Sequence, residues 1–198
     1  MSRPGPALNR TRLVETLTLV LNHALPACAA VAYRLVGTGA AMLHGVDLPV
    51  GDLDLLFLER ADVDAFAAAL SPFACLEPAA WLPHARQYYA NYEVGGVEVG
   101  LSTVEVETDS DAIETYGPGP WEKHYSLLPC GPHQVPTVDL ELRLISELHR
   151  GRPDRTTPLI AYLREHGCDL DLVRRGLRAG RLPQETIESV LQQLDKTL

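Results

Sequence analysis

The chain has 198 residues, of which 46% are hydrophobic and 22% charged, and a formal net charge of -9 at pH 7. That length suits one ordinary domain, or one domain with a modest appendage, and the apolar content excludes disorder and supports a core without disulfide or metal staples. The acidic balance disfavours broad, nonspecific contact with nucleic acid, since neutralising phosphates takes clustered cations, and leaves room only for a local basic patch.

Met1-Ser2-Arg3-Pro4-Gly5-Pro6 lacks the charged-then-apolar pattern of a signal peptide, and no later apolar run is long enough to span a bilayer. The expectation is a cytoplasmic protein with no membrane partner. Cys28, Cys75, Cys130 and Cys168 are far apart and make no Cys-x-x-Cys pair, which predicts free thiols rather than a zinc site or disulfides.

From Leu8 to about Leu25 the residues Leu13, Leu17, Val20, Leu21 and Ala24 recur at three- and four-residue steps, an amphipathic helix expected to end before Pro26. Val31 to Val36 reads as a strand, Gly37-Thr38-Gly39 as a glycine turn, and Ala40 to His44 as a short helix closed by Gly45. Asp52 to Leu58 is a second strand, and Asp62 to Leu70 a helix that Asp62 can cap, with Pro72 closing the unit. Gln87 to Val94 and Val97 to Ser102 flank Gly95-Gly96 and predict a hairpin, because two glycines readily take the positive φ angles of a tight turn. Gly117 to Pro136 is rich in Gly and Pro and reads as a passage, with a strand at His124 to Leu128. Val138 to His149, Pro158 to His166, Asp169 to Leu177 and Pro183 to Leu194 are predicted helices. The expected organisation is an α/β core over residues 1–116, a connecting segment over 117–136 and a helical appendage over 137–198, the core being a mixed sheet with flanking helices.

Asp52-Leu53-Asp54-Leu55 puts two carboxylates on one face of a strand and leucines on the other. Like charges this close repel, and a divalent cation with a taste for hard oxygen ligands, magnesium for preference, explains the pairing best. Upstream, Gly37-Thr38-Gly39 delivers the chain into a helix N-terminus, where free N-H groups and the helix dipole favour phosphate, and Thr38 adds a hydroxyl donor. Each motif alone is a weak signal. Their order and spacing together carry the weight.

These motifs resemble the signature of the DNA polymerase β-like nucleotidyltransferase superfamily: an apolar residue, Gly, then Gly or Ser, a spacer, then Asp-apolar-Asp/Glu-apolar. Here it reads Val36-Gly37-Thr38, a spacer from Gly39 to Gly51, and Asp52-Leu53-Asp54-Leu55. The spacer is long for that family, and Thr38 stands where Gly or Ser is usual while keeping a hydroxyl. The resemblance, which covers about Leu8 to Ser102, implies a third carboxylate on a neighbouring strand. Glu98 in Val97-Glu98-Val99 matches best, ahead of Glu93 and Glu105. It further implies two magnesium ions held by Asp52, Asp54 and Glu98, a nucleoside triphosphate substrate gripped by Gly37, Thr38 and Gly39, and transfer of a nucleoside monophosphate to a hydroxyl of a small molecule or protein. Small stand-alone members, toxin- or antitoxin-associated or antibiotic-modifying, carry basic residues on a helical segment after the core. Arg143 and the run Arg150, Arg152 and Arg155 look similar and would meet the triphosphate or the acceptor.

Each of these residues has a structural alternative. Asp52 and Asp54 would serve as solvated residues of an edge strand, Glu98 as an exposed strand residue, Thr38 as a helix cap, and the arginines as a solvated helix end. His44, His124 and the aromatics Trp81, Trp121, Tyr88, Tyr89 and Tyr92 are left to surface and packing roles. The rival to an enzyme is a catalytically inactive member kept as a nucleotide-binding protein or the partner of a toxin-like protein. A third possibility is a phosphohydrolase using the same acidic pair.

Overall fold

The structure, a computed structural model, describes residues 8–103 and 119–195; Glu105 lies outside them. Helix α1 runs Arg10–Cys28, opened by Asn9, whose side chain accepts a hydrogen bond from the Arg12 amide at 2.9 Å. Its buried face holds Leu13, Leu17, Val20, Leu21 and Ala24, as the periodicity predicts. The helix does not stop before Pro26 but carries it in its last turn, where the missing N-H costs a single hydrogen bond.

Seven strands form one mixed sheet: β1 Tyr33–Val36, β2 Asp52–Phe57, β3 Ala74–Leu82, β4 Gln87–Val94, β5 Val97–Thr103, β6 Tyr125–Cys130 and β7 His133–Val138. Their spatial order is β3-β4-β5-β2-β1-β7-β6. β2 lies parallel to β5 and β1 parallel to β7, while the remaining neighbours are antiparallel. The predicted hairpin is present as β4–β5, with Gly95 and Gly96 both at positive φ. The Gly- and Pro-rich passage holds a second hairpin, β6–β7, whose inner strand lies beside β1 and so completes the sheet.

Helices α2 Gly37–His44 and α3 Arg60–Ala69 follow β1 and β2. Gly37-Thr38-Gly39 is the first turn of α2 rather than a separate turn, and Gly45, at φ 113°, closes the helix as expected. Asp62 sits in the first turn of α3 and does not cap it; Glu59 holds the cap position without a side-chain bond. One face of the sheet is apolar: Leu35, Leu53, Leu55, Phe57, Val97, Val99 and Leu101 are almost wholly buried. Phe66 of α3 meets Phe57 edge to face, with ring centroids 4.7 Å apart. Each such leucine or phenylalanine contributes roughly 1.5–3 kcal/mol, so this face alone drives the sheet against its helices and frees the other for polar residues.

After a short turn of helix, α4 Gly119–Glu122, and the β6–β7 hairpin, the chain ends in α5 Leu140–His149, α6 Pro153–His166, α7 Leu170–Ala179 and α8 Gln184–Leu194. Helix α6 starts earlier than expected because Pro153 occupies its first turn, where no N-H is needed. These helices pack around Leu144, Ile145, Leu159, Val173, Leu177 and Val190. Two bonds fasten the bundle: Tyr162 Oη donates to the His44 carbonyl at 2.7 Å, and the Asp169 amide to Glu141 Oε1 at 2.9 Å.

Candidate functional site

Alternation along β2 sends Leu53 and Leu55 into the core and leaves Asp54 partly buried and Asp52 exposed on the opposite face. In the parallel pairing of β2 with β5, Asp52 stands opposite Glu98 and Asp54 opposite Gly100. The three carboxylates proposed from sequence therefore share one face and adjoining strands. The β4–β5 pairing extends that face, placing Glu93 opposite Glu98, Asn91 opposite Gly100 and Tyr89 opposite Ser102.

Asp54 lies between two glycines for a steric reason. A Cβ on Gly37 would come 2.5 Å from Asp54 Oδ2, and one on Gly100 would come 3.1 Å from Oδ1. Gly37 is also at φ +68°, a region that other residues seldom occupy. The Asp54 carboxylate thus rests against the first turn of α2. The cap residue of that helix, Val36, offers no side-chain bond of its own to the first turn. Thr38 is buried, 6% exposed. Gly39 faces inward, where a Cβ would meet Leu53 Cδ2 at 3.1 Å with Leu13 and Leu35 close behind.

Glu98 is held from the side by Asn91, whose Nδ2 donates to Glu98 Oε2 at 3.2 Å. The Tyr89 phenol is pushed far above its ordinary pKa, first by burial and then by the negative charges of Asp54, Glu77, Asp52 and Glu98. It stays protonated at any working pH and offers an O-H donor to an acidic face. Among the described residues no group of three or more His, Cys, Asp or Glu side chains is set to hold a metal ion. The carboxylates share a face and register without converging. Their chemistry nonetheless fits a hard divalent cation, with oxygen donors throughout and Asp54 lodged in a glycine cradle.

Sequence reasoning left Tyr89 to packing and passed over Asn91 and Gly100. The signal was available, since the two-residue turn at Gly95-Gly96 fixes the register of β4 on β5 and a period of two then brings all three to the acidic face. Trp81, Trp121, Tyr88 and His44 are engaged elsewhere. Trp81 and Tyr88 flank the Arg60 guanidinium, Trp121 and Tyr125 flank that of Arg34, and His44 Nε2 donates to the Val138 carbonyl at 3.0 Å. Arg143, Arg150, Arg152 and Arg155 converge on the buried carboxylate of Glu147.

No protein-family model matches the chain, and no curated protein matches it in sequence. Solved structures do match in fold. A Thermotoga maritima protein provisionally described as a nucleotidyltransferase is 15% identical at a TM-score of 0.57, over 81% of this chain and 98% of its own. An antigenic nucleotidyltransferase-like protein from Paracoccidioides brasiliensis is 13% identical at a TM-score of 0.53, over 94% of this chain and 95% of its own. The chain has the nucleotidyltransferase fold.

Proposed function

Starting from that fold, we propose that the protein is a metal-dependent nucleotidyltransferase that moves a nucleoside monophosphate from a nucleoside triphosphate to a hydroxyl of a small molecule or protein. The observation that carries the reading is the meeting of Asp54 with the first turn of α2 at Gly37, beside Asp52 and Glu98 on one face. A helix start suited to anions beside carboxylates suited to a hard cation supports the reading, since a magnesium triphosphate would need both.

In this reading Gly37, Thr38 and Gly39 receive phosphate oxygens through first-turn amides and the Thr38 hydroxyl. Asp52, Asp54 and Glu98 would hold magnesium, which would supply charge neutralisation of the triphosphate and a lowered pKa for the acceptor hydroxyl. The acceptor oxygen bonds to the α-phosphorus, the bond to the bridging oxygen breaks, pyrophosphate leaves and the hydroxyl proton passes to solvent. Asn91 holds Glu98 in place, and the protonated Tyr89 offers a donor to the oxygen nearest Asp54. Catalysis is mostly positioning and electrostatics.

One observation favours a second reading, a nucleotide-binding protein without turnover: the carboxylates do not converge as they stand. Incubation with magnesium and each α-labelled triphosphate separates the cases. Label on an acceptor, lost in Asp54→Asn, is the expected result. Free labelled monophosphate alone would mean hydrolysis, binding without label transfer would mean a sensor, and no binding of any triphosphate would overturn both nucleotide readings.

A further inference from the structure

The pairing of β3 with β4 sets Glu77 opposite Asn91, and that of β4 with β5 sets Asn91 opposite Gly100, itself opposite Asp54. One row across four strands therefore reads Glu77, Asn91, Gly100, Asp54, and the row beside it Glu93, Glu98, Asp52. Residues paired in this way share a face, so Glu77 and Glu93 join Asp52, Asp54 and Glu98 on it. Both lie on the β3–β4 flank, across β5 from the strand that carries the aspartates, and both are exposed. The Tyr89 phenol feels Glu77 next after Asp54 among its negative neighbours.

Two exposed acids alone belong to solvent. Asn91 does not, being only 7% exposed. Its Nδ2 donates to Glu98 Oε2, which fixes the two ends of the amide, since the reverse would set oxygen against oxygen. Oδ1 is thus turned away from Glu98, and it is buried without a hydrogen-bond partner. Its neighbours along the row are Glu77 and the gap over Gly100, where a Cβ would come 3.1 Å from Asp54 Oδ1 and 3.2 Å from Tyr89 Oη. An acceptor left in this state is costly, and every acid around it is an acceptor too, so the flank calls for a ligand rich in donors. A metal ion suits it poorly: strands lie about 4.8 Å apart, and among the described residues no three acids, histidines or cysteines are set to hold one. An ammonium group carries three N-H donors, and charge-assisted bonds of about 2.8 Å bridge acceptors at that spacing.

We propose that Glu77, Asn91 and Glu93 form a subsite for an alkylammonium group, the kind borne by an amine-containing acceptor. That the bound amine is the acceptor rests on the nucleotidyltransferase reading; the subsite itself does not. The polarity of the face then separates the two substrates. The triphosphate goes to the start of α2, and the amine goes to the β3–β4 flank, where a phosphate meets repulsion. Asn91 Oδ1 adds selectivity, because only a cation with N-H groups satisfies it.

The test is isothermal calorimetry of the full chain with spermidine in magnesium-free buffer of low ionic strength. Saturable binding is expected, with none for tetramethylammonium, which has the charge without an N-H. Asn91→Leu and Glu77→Gln should each weaken spermidine about tenfold or more, the order carried by a charge-assisted bond. Glu77 is exposed, so its variant folds even where Asn91→Leu does not, and Glu188→Gln, an exposed acid on α8, should bind as the wild type does. Glu77→Gln should keep its affinity for magnesium triphosphate. A chain that binds spermidine but no magnesium triphosphate would lose the nucleotidyltransferase reading and keep the subsite. No saturable spermidine binding, equal binding of tetramethylammonium, unchanged binding in Glu77→Gln, or one-for-one displacement of spermidine by magnesium chloride would overturn the proposal.

Discussion

Gly37 occupies a position that a side chain cannot enter cheaply. Its φ of +68° and the 2.5 Å approach of Asp54 Oδ2 to the place of a Cβ act together, one on the backbone and one on the acid it touches. Gly37→Ala is expected to cost about 1–3 kcal/mol of stability and to displace Asp54, with a matching loss of affinity for magnesium triphosphate. Gly39→Ala makes the contrast. There the backbone is helical, the nearest atom is the movable Leu53 Cδ2, and alanine gains helix propensity of about 1 kcal/mol, so the net effect should be small. Thermal melts and calorimetry on both variants check this. A Gly37→Ala protein that melts and binds like the wild type would remove the steric argument. At this scale the placement of the acids was legible: a period of two puts Asp52 and Asp54 on one face, and Glu98, chosen through the family resemblance, stands on the adjoining strand opposite Asp52. The glycine cradle was not, because a spacer from Gly39 to Gly51 says nothing of how closely β2 returns to β1.

Among elements, β3 shows why exposed strands escape a reading of hydrophobic pattern. Ala74 to Leu82 lies at the sheet edge, carries Pro78, and slips register between Cys75 and Glu77 and again before Ala80, so no alternation survives. The β6–β7 hairpin was hidden by its Gly and Pro content, although its buried Val135 and Val138 complete the sheet beside β1. At the α5–α6 joint the helices were legible but the ion pairs were not, since nothing in a run of arginines shows that the buried Glu147 lies among them. Glu147→Gln should destabilise the protein by about 3–5 kcal/mol in urea unfolding, because it takes the paired carboxylate from the buried Arg143 guanidinium. Replacing both Arg143 and Glu147 by leucine should recover much of that loss. A single-variant cost below about 1 kcal/mol would mean the pair is solvated in practice and not an anchor.

Across the whole molecule, the contact between the sheet and the helical bundle carries a dependence on pH. His44, at the end of α2, donates through Nε2 to the Val138 carbonyl just before α5, while its own carbonyl accepts from Tyr162 of α6. Burial holds its pKa below the ordinary 6.5, outweighing the opposite pull of the Val138 bond and of Asp139. Glu141, on α5, is moved the other way: burial raises its pKa above the ordinary 4.5 despite the Asp169 amide bond. The two signs differ. The unfolded chain protonates His44 first, so stability from His44 is present above about pH 6.5 and is lost as the pH falls through the lowered folded value. The folded chain protonates Glu141 first, so its contribution is full below its unfolded value and falls away as the pH rises through the raised folded one. Acidification from pH 7.5 to 5.5 should therefore lower the stability of the wild type through His44, with Glu141 offsetting part of the loss toward the acid end. Urea unfolding at the two pH values should show a smaller drop in His44→Gln, which has no proton to take up. An equal drop in wild type and variant would place the pH dependence outside this seam, and with it the idea that α2 is braced against the bundle by a neutral imidazole.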